Sequence, residues 1–187
     1  HVLSDLADRY EQILEAVEAT EGWVTSVRAS RPPLTLLGSL GGIEAGLRQL
    51  RRRLPLEVID AEIPDGGSVR VPTLPEILRI KAYLVVQRNQ VRDYLDVVAL
   101  AGRFPVPEAA DVLAGIDDYY VDRSAADDSV LTALVQRLSV PDPRDARVAR
   151  QLSAYKGLDP HWHDWSAVVA ACQALADGLL RVVEERS

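Results

Sequence analysis

Apolar residues recur at helical spacing where the chain begins. Leu3, Leu6, Tyr10, Ile13, Leu14 and Val17 share a face, so residues 4–19 read as an amphipathic helix that Gly22 ends. Residues 23–28 (WVTSVR) alternate as a strand does. Arg31-Pro32-Pro33 is a break, and residues 34–37 (LTLL) read as a short strand or the entry to a helix. Ile43, Leu47, Leu50 and Leu54 then predict a helix over 41–54, closed by Pro55. Residues 56–63 (LEVIDAEI) and 68–71 flank Pro64-Asp65-Gly66-Gly67, which is hairpin turn chemistry. Beyond Pro72 and Pro75 the pattern is helical throughout, over 75–88, 91–102, 107–120, 127–139, 144–155 and 164–184. Val168, Cys172, Leu175, Leu179 and Val183 give the last of these an apolar stripe, and place Cys172 in the core.

Composition fits a folded domain: 187 residues, 48% hydrophobic and 26% charged, enough chain to bury a core. The lone Cys172 forms no internal disulfide and suits a reducing cytoplasm. No apolar run approaches the roughly 18–20 residues of a membrane span, and no signal peptide is apparent. The chain opens with His1 rather than Met, as a tag remnant or a piece of a longer protein would. The net charge of −7 lies mostly in residues 104–187, which argues against broad nucleic-acid binding and leaves room for a local basic site in the first half.

The chemistry concentrates between residues 72 and 100. Lys81, Arg88, Arg92, Asp93 and Asp96 interrupt an otherwise apolar helical segment. Charges near a core are costly unless they are paired, bind a ligand or do chemistry. Lys81 shares a face with Leu78 and Val85, and Asp93 and Asp96 lie three apart on the next helix. The plain alternative is structural: Asp93 caps its helix, Arg88 or Arg92 pairs with Asp96, and the two helices are pinned.

The run VPTLPEILRIKAYLVVQRNQVRDYLDVVALA resembles the lysine-helix and R/K-D-x-x-D block of AbiEii-type nucleotidyltransferases. These are toxins of type IV toxin–antitoxin systems, the mycobacterial MenT toxins among them. The likeness spans residues 55–102. It implies an α+β fold, with a small polymerase-β-like nucleotidyltransferase sheet and flanking helices over 1–103, followed by a C-terminal helical bundle over 104–187. It also implies a cytoplasmic enzyme that uses Mg²⁺ to transfer nucleotides from a nucleoside triphosphate to RNA, at tRNA 3′ ends. Its partners would be tRNA and an antitoxin protein, with no membrane. Lys81, Asp93 and Asp96 would be catalytic, and Lys81, Arg88 and Arg92 would bind phosphate. The alternative is a degenerate or truncated relative that binds protein or RNA without catalysis.

The D-x-D pair that holds metal in that class is absent from the first 100 residues. Either Asp60 and Glu62, two apart on a strand, supply it, with Gly38-Ser39 and Gly41-Gly42 cradling the nucleotide, or the strand precedes His1. On the expected 41–54 helix, Arg48, Arg51 and Arg52 form a positive stripe suited to RNA phosphates, or else a solvated face. His161, His163 and Asp164 have ligand chemistry, but with Trp162 and Trp165 they read better as the packed start of the last helix. Asp117-Asp118, Asp122 and Asp127-Asp128 read as a solvated acidic loop, or as a face for a basic partner.

Overall fold

A computed structural model describes residues 2–3, 5–49, 52–64, 66–120 and 129–186. The chain divides into two compact units, His1–Pro55 and Leu56–Ser187. The boundary therefore falls after Pro55, whereas the sequence places it after Arg103.

The first unit is a four-stranded sheet backed by one helix. Its elements are β1 (Val2–Leu3), α1 (Tyr10–Glu18), β2 (Trp23–Thr25), β3 (Thr35–Leu40) and β4 (Ile43–Gln49). The strand order is β1-β4-β3-β2, with β1 parallel to β4 and the other pairs antiparallel. Leu6, Tyr10 and Leu36 are its buried centre, with Ile13, Trp23 and Leu47 packed around them. The Trp23 indole lies over Gly38, where a Cβ would come within 2.8 Å of the ring. Trp23 Nε1 donates to Thr25 Oγ1 at 2.8 Å, and that hydroxyl donates to Glu18 Oε1 at 2.9 Å, tying β2 to α1.

The helix expected over 41–54 is strand β4. Leu40 pairs with Ile43 and Leu36 with Leu47, and Gly41 and Gly42 form the connection at φ 58° and 82°. Two consecutive residues at positive φ make the two-residue turn whose twist suits a hairpin, and glycine adopts it without steric cost. Gly38 and Ser39 lie within β3. The glycines thus close a hairpin and do not cradle a phosphate before a helix.

The second unit opens with the expected hairpin, β5 (Val58–Glu62) against β6 (Ser68–Pro72). Helices α2 (Leu74–Arg88), α3 (Val91–Ala101), α4 (Val106–Ala114), α5 (Ile116–Tyr119), α6 (Val130–Ser139) and α7 (Trp165–Arg186) follow. The segments Ala146–Ala154 and Pro160–His163 are 3₁₀ turns, so the α-helix expected over 144–155 is not formed. Gly115 breaks the helix expected over 107–120 into α4 and α5. Leu78, Tyr94, Leu113, Leu134, Leu138 and Leu179 are among its fully buried side chains.

By length and composition α7 is long and apolar enough to cross a membrane, contrary to the sequence expectation. Its buried stripe, Val168, Cys172, Leu175, Leu179 and Val182, belongs to the core of this unit. At Gly178 a Cβ would lie 3.3 Å from that of Ala110 on α4, so the glycine permits close helix approach. Asp177 and Arg181 lie exposed on the opposite face.

Candidate functional site

The charged segment singled out in the sequence is the corner between α2 and α3. Thr73 caps α2 by accepting from Glu76 N at 3.3 Å, and Asn89 ends it in the left-handed conformation at φ 54°. Gln90 and Asp93 form a reciprocal capping box at the start of α3. Asp93 is fully buried. One carboxylate oxygen accepts from Gln90 N at 3.2 Å and the other from the Arg88 guanidinium. Lys81 Nζ donates to Asp96 Oδ2 at 2.8 Å across the two helices. Arg92 is exposed.

The corner is locked from a third side. Asn89 Nδ2 donates to the Asp142 carbonyl at 2.7 Å, Arg144 N donates to the Asn89 carbonyl at 2.8 Å, and Val91 N donates to Asp145 Oδ1 at 2.8 Å. The buried Tyr94 hydroxyl donates to Asn89 Oδ1 at 2.5 Å, and its ring meets Trp165 edge-on at 5.9 Å. Burial pushes the Tyr94 hydroxyl up to about 12. Of the five charged residues, four are thus occupied in ion pairs or a cap: Asp93 caps α3 as the structural alternative has it, but Asp96 pairs with Lys81 and Arg88 with Asp93, not Arg88 or Arg92 with Asp96.

A second cluster escaped the sequence reading. Arg79 is nearly buried on α2, with Nη1 3.1 Å from Glu76 Oε2 and 2.9 Å from Glu57 Oε1. Tyr119 donates its hydroxyl to Glu57 at 2.9 Å, and its ring carries the guanidinium at 4.4 Å. Glu76 is fully buried. Two signals could have found it: Thr73 and Glu76 have capping-box spacing, and Glu76 and Arg79 lie at i, i+3.

The remaining candidates stay apart. Asp60 and Glu62 are exposed on β5, with Asp60 opposite Arg70 and Glu62 opposite Ser68. Among the described residues no group of three or more His, Cys, Asp or Glu side chains could hold a metal ion. Arg48 is exposed on β4, Arg52 follows that strand, and Arg51 lies outside the described residues, so the three share no helical stripe. Asp164 caps the start of α7 by accepting from Ser166 N and Oγ, bonds that hold its carboxyl below the usual range. His161 packs on Trp162 at 4.5 Å, and the His163 ring lies 3.3 Å from the Leu158 carbonyl. Asp117 accepts from Ser129 Oγ and Leu131 N, whereas Asp122, Asp127 and Asp128 lie outside the described residues. Burial pushes the Cys172 thiol up to about 12, as suits a core cysteine.

The chain is similar to MmpL11 proteins. It is 34% identical over 131 residues to the "Mycolic acid-containing lipids exporter MmpL11" of Mycolicibacterium smegmatis, covering 70% of this chain and 13% of that protein. It is 40% identical over 95 residues to the "Heme uptake protein MmpL11" of Mycobacterium tuberculosis, covering 51% of this chain and 10% of that protein. The chain thus spans about a tenth of the length of these curated relatives. No family model matches it. No solved structure matches it either.

These relatives overturn the toxin reading. They are named for lipid export and heme uptake, not for nucleotidyl transfer or a toxin–antitoxin pair. The AbiEii-type resemblance, the tRNA and antitoxin partners, the absence of a membrane and the cytoplasmic location fall with it. So does the alternative of a degenerate toxin relative. The physical reason lies at the α2–α3 corner: a lysine and two aspartates at helical spacing also serve to pin two helices, and Lys81, Asp93 and Asp96 are placed for that.

Proposed function

We propose that this chain is an accessory segment of an MmpL11-type transport protein, lying outside its lipid-spanning part. The observation that carries the reading is the 34% identity over 131 residues to a lipid exporter of which this chain spans only 13%. The second unit supports it. Its longest apolar helix turns its buried stripe into a closed bundle, and its charged pairs serve packing. Such a segment contributes binding or regulation to a transporter whose translocation path lies elsewhere in the polypeptide.

Two experiments test this. A tag placed at Ser187 in the native gene is expected to sediment with membranes; a tagged product confined to the soluble fraction would overturn the reading. Replacing the matching segment of the M. smegmatis exporter with this chain is expected to preserve export of mycolic acid-containing lipids. Deleting that segment is expected to reduce it. Equal export with and without the segment would also overturn the reading.

A further inference from the structure

The β5–β6 hairpin is a sheet of two strands, with no third strand paired to it among the described residues. A two-stranded ribbon is marginal in water, and a third strand makes such a sheet stable. The register fixes which groups face outward. Ile63 N donates to the Gly67 carbonyl and Thr73 N to the Glu57 carbonyl, so the odd-numbered residues of β5 bond to β6. The peptide N–H and C=O groups of Val58, Asp60 and Glu62 therefore point away from β6, along a free edge. On β6 the matching outward positions are Ser68, Arg70 and Pro72, and proline has no N–H to offer. The β5 edge is thus the complete one. Its side chains are sorted by face as well. Asp60 and Glu62 stand exposed on one side, and Ile59 and Ala61 lie on the other, where Ile59 and Val69 are half-exposed.

We propose that the β5 edge takes up an extended segment of a partner protein in which basic and apolar residues alternate. Main-chain hydrogen bonds to Val58, Asp60 and Glu62 hold the segment, and its side chains decide which segment fits. Opposite charges on neighbouring strands stabilise a sheet, and like charges directly opposite destabilise it. A second copy of this chain joined antiparallel along the whole of β5 sets Asp60 opposite Asp60. A shift by one pair sets Asp60 opposite Glu62, so the carboxylates oppose self-pairing. They favour a strand with cations two residues apart. Asp60 already has Arg70 across from it on β6, whereas Glu62 faces Ser68, so the cation opposite Glu62 matters more. The residue between the two cations falls beside Ala61 and extends the apolar face. The strands of the first unit are already paired in their own sheet, so the segment is a partner's. The inference rests on the hairpin alone and does not need the transport reading.

The test is titration of a fluorescein-labelled peptide, Gly-Val-Lys-Val-Lys-Val-Gly, with the full chain, read by fluorescence anisotropy. Saturable binding is expected, and a peptide with glutamate at both lysine positions is expected not to bind. Asp60→Lys combined with Glu62→Lys is expected to weaken binding of the lysine peptide at least about tenfold. The same variant is expected to gain binding of the glutamate peptide, which also shows that its hairpin is folded. Amide hydrogen exchange locates the contact. The Asp60 and Glu62 amides are expected to exchange freely in the chain alone and to slow at least about tenfold with peptide bound, while Ala61 is slow in both. Binding that never saturates, or that the double lysine variant leaves unchanged, overturns the proposal. Binding without slowed exchange at Asp60 and Glu62 overturns strand addition. Self-association of the chain that the double lysine variant abolishes would make the occupant a second copy and overturn the partner.

Discussion

The two units solve the problem of a core differently. In the first, the buried hydrophobic cluster among the described residues is Leu6, Tyr10 and Leu36, with Tyr10 on the one helix of nine residues. In the second, helices from α2 to α7 enclose a continuous interior built on Leu78, Leu113, Leu134 and Leu179. Surface-to-volume scaling makes the smaller unit the weaker: a domain of about 60 residues buries about 60% of the surface its chain exposes when unfolded. The second unit also carries charges into its interior, which a larger core tolerates provided each is paired.

The sharpest break of that comparison is Arg79→Ala. It leaves the fully buried Glu76 carboxylate without the guanidinium 3.1 Å away, and it also releases Glu57 and the Tyr119 ring. The expected loss is about 3–5 kcal/mol, confined to the second unit. Urea unfolding followed by Trp162 and Trp165 emission measures it, and Glu76→Gln in the Arg79→Ala background is expected to restore part of the loss by removing the buried charge. An unmoved midpoint would mean that the cluster contributes nothing to stability.

A paired truncation comes next. Leu134→Ala and Leu36→Ala each remove a fully buried leucine and are expected to cost about 2–5 kcal/mol. With Trp162 and Trp165 replaced by Phe, emission reports Trp23 in the first unit alone. Leu36→Ala is expected to lower the Trp23 transition and leave the helical circular-dichroism transition in place, with Leu134→Ala doing the reverse. If both signals shift together in either variant, the two units unfold as one and the contrast in core size loses its meaning.

Legibility in the sequence follows the same division. The hairpin, α2, α3 and α7 were readable, because turn residues and long apolar stripes agree with the tertiary fold there. Strand β4 was not. Ile43, Leu47 and Leu50 imitate a helical face, yet Ile43, Ala45 and Leu47 also alternate with Glu44, Gly46 and Arg48, and Gly41-Gly42 is strong hairpin punctuation. The period-2 pattern and the turn agreed, and the spaced leucines outweighed them. At the α2–α3 corner the charged residues were visible and their partners were not. The aspartate pattern is the same for a cap, a helix pin and a phosphate site, and Asn89, Asp142 and Asp145 converge only once the chain has folded.

A smaller effect concerns Tyr94 and pH. Burial raises its hydroxyl from 10.0 to about 12 in the folded chain. The folded state therefore holds the proton more tightly, so the stabilisation is complete below pH 10 and is lost as pH rises toward 12. Unfolding midpoints of the second unit are expected to fall across that window. Tyr94→Phe is expected to abolish that part of the fall while costing about 1–2 kcal/mol at neutral pH, because the buried Asn89 loses its hydroxyl donor. A fall of equal size in the variant would assign the alkaline loss to other groups.

The smallest effect belongs to the residue that drew attention first. Lys81 and Asp96 meet at 2.8 Å with side chains 29% and 28% exposed, so solvent screens much of their attraction. A double-mutant cycle with Lys81→Met and Asp96→Asn is expected to give a coupling of about 0.5–1 kcal/mol, falling as salt is raised. Lys81→Met alone keeps the aliphatic stem and is expected to cost no more than that. A coupling several times larger would place the pair in a drier setting than its exposure indicates, and would narrow the contrast between this half-open bridge and the buried cluster around Arg79. A coupling near zero would leave Arg79 and Arg88, each facing a fully buried carboxylate, as the cations that matter to α2. It would also show that a conspicuous charge in an apolar helix can be conspicuous in sequence alone.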